Sequence, residues 1–341
     1  LASGREVSMK SLCGLTASEI EELAECTERH SLRIANWLYK CKPGSLMHIP
    51  DLPLKLREKL KEISYPGVLS PVSSQKSADG TMKFLFRNES GQEFETVLMT
   101  DSNRTTVCVS SQSGCRMGCP FCVTGQYGFR GNLSARDILT QVLAPEIGGK
   151  VTHVVFMGMG EPMDNLDNVL RACKVMTAQW GMALSPGNIT VSTVGLMPGV
   201  RKYLDSCNCN LTLSLFSPFS EERLGSVPAE SLYPAREIIE EMKSAASVKR
   251  RRMSAAYVMI SDFNDTPAHL EGLKELLHGT GIRVNLLPYH SFPGDSNESS
   301  SPEIMQHFKQ ELVFSGISAS IRKSRGADIS AACGLLASGL K

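Results

Sequence analysis

Hydrophobic and polar positions divide the chain into three stretches of different period. Residues 1–65 read as helical. Thr16 and Ser18 are N-cap types ahead of Ile20, Leu23 and Cys26, a second helix runs near Ile34–Tyr39, and a third near Leu54–Ile63, until Pro66 and Pro71 break the pattern. Period two follows. Ala78-Asp79-Gly80 is a turn signal, and Thr81–Arg87, Glu93–Met99 and Thr105–Ser110 read as strands. Beyond these, strand and helix alternate. Strands are predicted at 105–110, 152–157, 188–193, 210–215, 254–260 and 282–287, and helices near 134–147, 165–178, 198–205, 234–245, 267–277 and 302–314. Ser134-Ala-Arg-Asp137 has the order of a capping box. A last strand near 317–322 precedes a C-terminal loop. The fold class is therefore α/β. Six βα units in a row predict a parallel sheet with right-handed connections, either curled towards a barrel or doubly wound. Three parts are expected: a helical module over 1–65, a β-rich extension over 66–104, and a catalytic domain over 105–341.

Composition excludes some classes. The 341 residues are 42% hydrophobic and 21% charged, an ordinary globular mix. No uncharged apolar stretch approaches the roughly 18 residues of a membrane helix, so no membrane partner is expected. Net charge is +1, so contact with nucleic acid must come from local patches, with Lys249–Arg252, Arg322/Lys323/Arg325 and the 55–61 segment as candidates. A run of basic residues is more often solvated surface. The 11 cysteines are odd in number and irregular in spacing, which fits a reducing compartment better than a disulfide-stapled secreted domain. The chain opens on Leu1 and leaves room for a targeting segment upstream, so a cytoplasmic and an organellar location (chloroplast or mitochondrion) both stay open.

The sharpest chemical signal is Cys115-x-x-x-Cys119-x-x-Cys122, on a loop between a strand and a helix. In a βα barrel, chemistry is done at that end of the strands. Cysteine thiolates are the usual iron–sulfur ligands, and three rather than four leave one iron of a 4Fe–4S cluster open. A zinc knuckle with an unseen fourth ligand is the competing reading. After the next strand, Gly158-Met159-Gly160-Glu161-Pro162 offers close backbone approach and a carboxylate able to accept from an ammonium group, or an ordinary turn. Ser192 and Ser214 end later strands and are available to a polar cofactor, or face solvent.

The triad, with Phe121 just before its last cysteine, resembles the radical S-adenosylmethionine (SAM) superfamily. The resemblance narrows to the RlmN/Cfr RNA methyltransferases through Cys108-Val-Ser-Ser-Gln-x-Gly-Cys115, Gly160-Glu161-Pro162, Val191-Ser192-Thr193, Tyr257-Val258-Met259, Asn264-Asp265, Val284-Asn285-Leu286, and the run from Arg322-Lys323-x-Arg325-Gly326 to Cys333. It covers nearly the whole chain. It implies a partial (β/α)6 barrel, a 4Fe–4S cluster on Cys115, Cys119 and Cys122, and SAM held by Gly160, Glu161, Ser192, Ser214 and His290. It also implies an RNA-binding role for the N-terminal helical module. Methylation of adenine carbon 2 in ribosomal RNA, transfer RNA or both is expected, through a methyl group carried on Cys333. Cys108 would release the product by forming a disulfide with Cys333, and Glu95 would handle a proton near the adenine. The expected partners are RNA and an electron donor such as flavodoxin or ferredoxin, and the chain is expected to be a monomer.

Three positions depart from the family pattern. Phe216 stands where a histidine is usual, His290 where an asparagine is usual, and Ala256 where an acidic residue is usual. They motivate two other readings: a radical SAM enzyme of this fold with another substrate (or adenine carbon 8), and a non-catalytic RNA-binding or ribosome-assembly factor with a structural cluster.

Overall fold

The computed structural model describes residues 9–41, 44–144, 150–249 and 251–336, the side chains of 246–249 excepted. The helical start forms as its caps direct. β1 (Lys10–Ser11) leads into α1 (Ala17–Ala24), where Thr16 and Glu19 close a capping box. α2 (Glu28–Lys40), capped by Thr27, buries Ile34, Ala35 and Leu38, and α3 (Leu54–Ile63) follows. The Tyr39 hydroxyl accepts from Gly14 N at 3.1 Å and donates to Leu15 O at 2.6 Å, stitching α2 to the loop before α1. β2 (Ser64–Tyr65) pairs in parallel with β1 and closes this part.

The rest is built on one ten-stranded sheet. β3 (Ser73–Lys76), β4 (Met82–Arg87), β5 (Glu93–Asp101) and β6 (Arg104–Cys108) form an antiparallel meander. β7 (Gln112–Gly114), α4 (Val123–Gln126) and β8 (Phe129–Asn132) form the excursion that carries the triad, and α5 (Ala135–Leu143) returns the chain to the sheet. Then come β9 (His153–Phe156), α6 (Leu166–Thr177), β10 (Ile189–Thr193), α7 (Met197–Ser206), β11 (Asn210–Ser214), α8 (Ser220–Ser226) and α9 (Ala235–Lys249). β12 (Met253–Met259), α10 (Pro267–Leu277), β13 (Arg283–Pro288), α11 (Pro302–Phe314) and β14 (Ala319–Ile321) complete the order.

From β6 onward, β9, β10, β11, β12, β13 and β14 each pair in parallel with the strand before it. A doubly wound sheet reverses its strand order at a switch point. This sheet has none, so the choice the sequence left open falls to the partial barrel. Val154, Val191, Leu211, Leu213, Ala255, Val284 and Leu286 are fully buried, as strands covered on both faces require. The segment expected to be a separate extension continues the same sheet through the β5–β6 pairing.

Differences from expectation have local causes. β3 was not foreseen because Ser73–Lys76 is polar and exposed at every position and carries no alternation. Helix 134–147 has its capping box at Ser134 and Asp137 but ends at Leu143, and 145–147 lie outside the described residues. The Lys249–Arg252 patch is corrected. Arg250 lies outside the described residues, and Arg251 is buried, donating to the carbonyl oxygens of Cys207 and Leu204, so it is no surface cation. No helix among the described residues is long and apolar enough to cross a membrane.

A buried ion pair fixes the strand ends that matter below. Arg223 Nε donates to Glu230 Oε2 at 2.6 Å, with both side chains almost fully enclosed. The same guanidinium donates to the carbonyl oxygens of Ser214, Leu215 and Val194, beyond β11 and β10. Removing one partner of such a pair strands the other charge. Glu230→Ala should lose about 3–5 kcal/mol in urea denaturation, while Glu240→Ala, on the exposed pair with Lys243, should change stability by less than about 1 kcal/mol. Equal losses would refute the role given to Arg223.

Candidate active site

The triad loop leaves β6 under tight control. Gln141 of α5 accepts from Ser110 N and Thr96 Oγ1, each at 2.7 Å, and donates to Ser110 O at 2.9 Å, fixing the first turn of the loop. Gly114 has φ +72°, and a Cβ there would stand 1.8 Å from Gly128 O, so no side chain fits where the loop folds back on β8. Cys115, Cys119 and Cys122 then face one cavity together with Gly160, Glu161, Ser192, Ser214 and Cys333.

The donor set fits a 4Fe–4S cluster better than a single ion. Among the described residues, the cysteine, histidine and carboxylate groups whose donor atoms all lie within 4.8 Å of one another are Cys173, Cys207 and Cys209, not this triad. Zn–S bonds of about 2.3 Å need sulfurs closer than twice that length, whereas a cubane spans more widely spaced thiolates. Burial, then repulsion from Cys122, pushes the Cys115 thiol up to about 12, and Cys119 rises for the same two reasons with Cys115 added. Three thiolates in this space need a positively charged group between them.

Glu161 opens the loop after β9. Gly160, at φ +93°, lets the chain pass over Gln112, whose Cβ would lie 2.4 Å from an added Cβ. Gln112 Oε1 accepts from Glu161 N at 2.9 Å. The Glu161 carboxylate is buried and accepts from Thr193 Oγ1 at 2.6 Å, Val194 N at 2.9 Å and Met163 N at 2.9 Å. A carboxylate offers about four acceptor positions, so one more donor is accommodated. Burial raises its pKa to about 7, and the three donors only partly counter that.

Ser192 and Ser214 meet across β10 and β11, with Oγ atoms 3.3 Å apart, both on the cavity wall. Beyond them stands Phe216 at φ +63°, its ring stacked on Phe121 with centroids 4.4 Å apart and planes at 10°. Asn264 holds this turn, donating to Phe216 O and Val258 O, each at 2.8 Å. Tyr289 also lines the cavity, and its hydroxyl donates to Asp295.

The two cysteines that the resemblance sets apart, Cys108 and Cys333, come from distant parts of the chain. Cys108 ends β6, and burial first, then Cys333, pushes its thiol above the usual range. Cys333 lies exposed on the cavity wall. Its segment is tied on both sides: Asp79 and Asp328 bridge it to the β3–β4 turn, and Val123 N and Thr124 Oγ1 donate to Gly334 O and Leu336 O at 2.8 and 2.9 Å. The C-terminal loop is thus anchored on both sides of Cys333. Glu95 is buried on β5 and does not line the cavity; it pairs with Lys83 Nζ at 3.3 Å, and that ammonium donates to Ser330 O at 3.5 Å. His290 also stands off the wall, against Ser324 Oγ at 2.8 Å, although Pro288 and Tyr289 line it. Sequence reading missed Lys83 and Arg223. A lone cation in a strand or short helix gives no signal before its buried partner is seen.

The Radical SAM superfamily profile matches residues 109–277. A probable dual-specificity RNA methyltransferase RlmN of Bacteroides fragilis is 40% identical over 95% of each chain, and the dual-specificity RNA methyltransferase RlmN of Geobacter sulfurreducens is 37% identical over 96% of this chain and 92% of its own. The crystal structure of a radical SAM methyltransferase from Sphaerobacter thermophilus superposes with a TM-score of 0.88 at 38% identity, covering 96% of this chain and 98% of that one. The chain belongs to the radical SAM superfamily and, within it, to the RlmN family of RNA methyltransferases.

Proposed function

We propose that this chain methylates carbon 2 of an adenine in ribosomal RNA, transfer RNA or both, with the methyl group carried on Cys333. The observation that carries the reading is the shared cavity: Cys333 faces the same space as Cys115, Cys119, Cys122 and Glu161. A 4Fe–4S cluster with SAM supplies, when bound, the one-electron chemistry that an electron-poor aromatic carbon demands. Cys115, Cys119 and Cys122 hold the cluster. Glu161 accepts from the SAM ammonium through its remaining lone pair, and Gly160, Ser192 and Ser214 line the rest of the cofactor.

Cys333 carries carbon on its sulfur and joins it to the base. Cys108 then attacks that sulfur as a thiolate: the sulfur–carbon bond breaks with its electron pair passing to the base adduct, a proton from solvent completes the methyl group, and a Cys108–Cys333 disulfide is left as the methylated RNA departs. A thiol donor and a one-electron donor such as flavodoxin or ferredoxin complete the cycle from outside. Glu95, paired with Lys83 beneath the Cys333 segment and off the cavity wall, takes no proton from the adenine directly. The target base leaves its stack to reach the cavity. Residues 1–65 serve as an RNA-binding module and 66–104 as the β extension of the 105–341 catalytic domain. Arg322 and Lys323, exposed beside the Cys333 segment, meet the RNA backbone. The protein works as a monomer.

The direct test is nucleoside mass spectrometry on RNA from cells lacking the enzyme, treated with cluster-loaded protein, SAM and reductant. New 2-methyladenosine is expected; 5′-deoxyadenosine release without methylated adenosine would point to another substrate. Cys333→Ala should abolish methylation while leaving the cluster in place, and methylated product from that variant would overturn the carrier role. Cys108→Ala should trap RNA covalently on the protein, seen as a slow band on denaturing gels and absent when Cys333 is also replaced.

Glu161 sets a pH dependence. Its carboxyl is neutral below about 7 and then offers no charge to the SAM ammonium, so SAM affinity should fall by about tenfold per unit as pH drops below that point. Calorimetry on cluster-loaded protein should show this slope, and Glu161→Gln should flatten it. A wild-type curve that is flat from pH 5 to 8 would remove Glu161 from SAM binding.

A further inference from the structure

Three cysteines take no part in the site above. Cys173 lies on α6, Cys207 ends α7, and Cys209 precedes β11, so a helix and a Cys-Asn-Cys turn bring them together. Their sulfurs all lie within 4.8 Å of one another, and the residues are 2%, 9% and 1% exposed. The cluster borders a groove that Thr16 and Glu19 line from the N-terminal part and Lys174 and Asn208 from the barrel.

Arg251 makes the cluster chemically odd. Its guanidinium is buried beside Cys207 and Cys209, with the Asp205 carboxylate also acting on it, and donates to the carbonyl oxygens of Cys207 and Leu204, but its Nε has no hydrogen-bond partner among the described residues. A buried cation is stabilised by nearby negative charge, which Asp205 supplies and neutral thiols do not. A group of net charge minus one at the cysteines would add to it. Three thiolates on a divalent ion have that charge. Thiolate donors reject hard cations such as magnesium and calcium and select soft or borderline ones. A tetrahedral zinc site, with bonds of about 2.3 Å, sets its sulfurs about 3.8 Å apart, inside the observed limit.

We propose that Cys173, Cys207 and Cys209 bind one zinc ion, whose fourth position is taken by water from the groove. Glu19 is not the fourth ligand, because it is held by Arg171 at 2.7 and 2.8 Å and closes the α1 capping box. Each thiol gives up its proton to solvent as the ion enters, and no electron moves. The ion ties α6 to the α7–β11 turn, on the far side of those elements from the strand ends that carry the triad.

The test uses the full chain with its iron–sulfur cluster loaded, so that the triad is occupied. The protein is given one equivalent of zinc chloride and passed over a chelating resin under anaerobic conditions. Elemental analysis should then find one zinc per chain, and X-ray absorption at the zinc edge should show three sulfur neighbours and one lighter atom. Cys209→Ser and Cys207→Ser should lose most of that zinc with iron content unchanged. Zinc stripped from the wild type by the resin, or a first shell without sulfur, would overturn the proposal. So would equal zinc in the wild type and both variants. So would peptide mapping that finds two of these cysteines joined as a disulfide in anaerobically purified protein. Should a variant fail to fold, the wild-type absorption spectrum decides alone.

Discussion

The unbroken parallel register from β6 to β14 is the constraint on which the site depends. Because each strand pairs with the one before it, their C-terminal ends finish at one rim, and every loop that follows opens there. Residues far apart in sequence thereby become neighbours: the triad after β6, Glu161 after β9, Ser192 and Val194 at the end of β10, Ser214 and Phe216 at the end of β11. Side-chain bonds then lock adjacent loops together. Glu161 reaches across to Thr193 and Val194, and Arg223 gathers the carbonyl groups of Val194, Ser214 and Leu215. Neither group is stable alone in an apolar interior. Each persists because the other polar atoms around it have no water to turn to.

Much of this was legible in the chain because the signals are short-range. The N-cap at Thr16 and the capping box at Ser134 involve residues close in sequence, and strand and helix alternate regularly from 105 onward. The triad spacing and Gly160-Glu161 are equally local. What escaped depends on contacts across long sequence separations. The edge strand Ser73–Lys76 forms because β4 offers it a partner, although nothing in its own sequence favours burial. Lys83 gains meaning only when the chain returns 247 residues later with Ser330. The same reason hid the inward turn of Arg251, which sits in a run of basic residues and was read as surface. The position of His290 shows the converse: Tyr289, its neighbour, points to the cavity and is stapled to Asp295, and the alternation of a strand end sends the next side chain elsewhere.

The C-terminal segment solves a problem of entropy. A cysteine on a segment outside regular helix and strand would sample many positions, and fixing one residue's backbone costs about 1–2 kcal/mol. Here Asp328 and Gly326 bond to the Ser77–Asp79 turn on one side, and Gly334 and Leu336 bond to α4 on the other. Cys333 is therefore presented to the cavity before any substrate arrives, and Cys122 is the N-cap of α4. A change at the cluster loop is felt directly by the segment that carries Cys333. Ser330, at φ +52°, and Gly334, at φ +85°, supply the bends that make this short span possible.

Phe216 stands where the resemblance leads one to expect a histidine, and its surroundings accommodate it. A non-glycine residue at φ +63° costs on the order of 1–3 kcal/mol. Asn264 binds its carbonyl group, Leu215 N is held by Ala256 O, and the ring stacks on Phe121 and tilts against Phe263. Aromatic stacking contributes about 0.5–1.5 kcal/mol per pair beyond burial. The backbone bend is thus enforced by β12 and Asn264, not by the identity of the side chain at 216. Exchanging the family's imidazole for a phenyl ring leaves the turn unchanged and alters only what the wall offers: a hydrogen-bonding edge becomes an apolar face packed on the residue that precedes Cys122. The departure at 216 therefore bears on how the cavity grips its occupant, while the cysteines, the carboxylate and the strand ends that present them stay as the fold sets them.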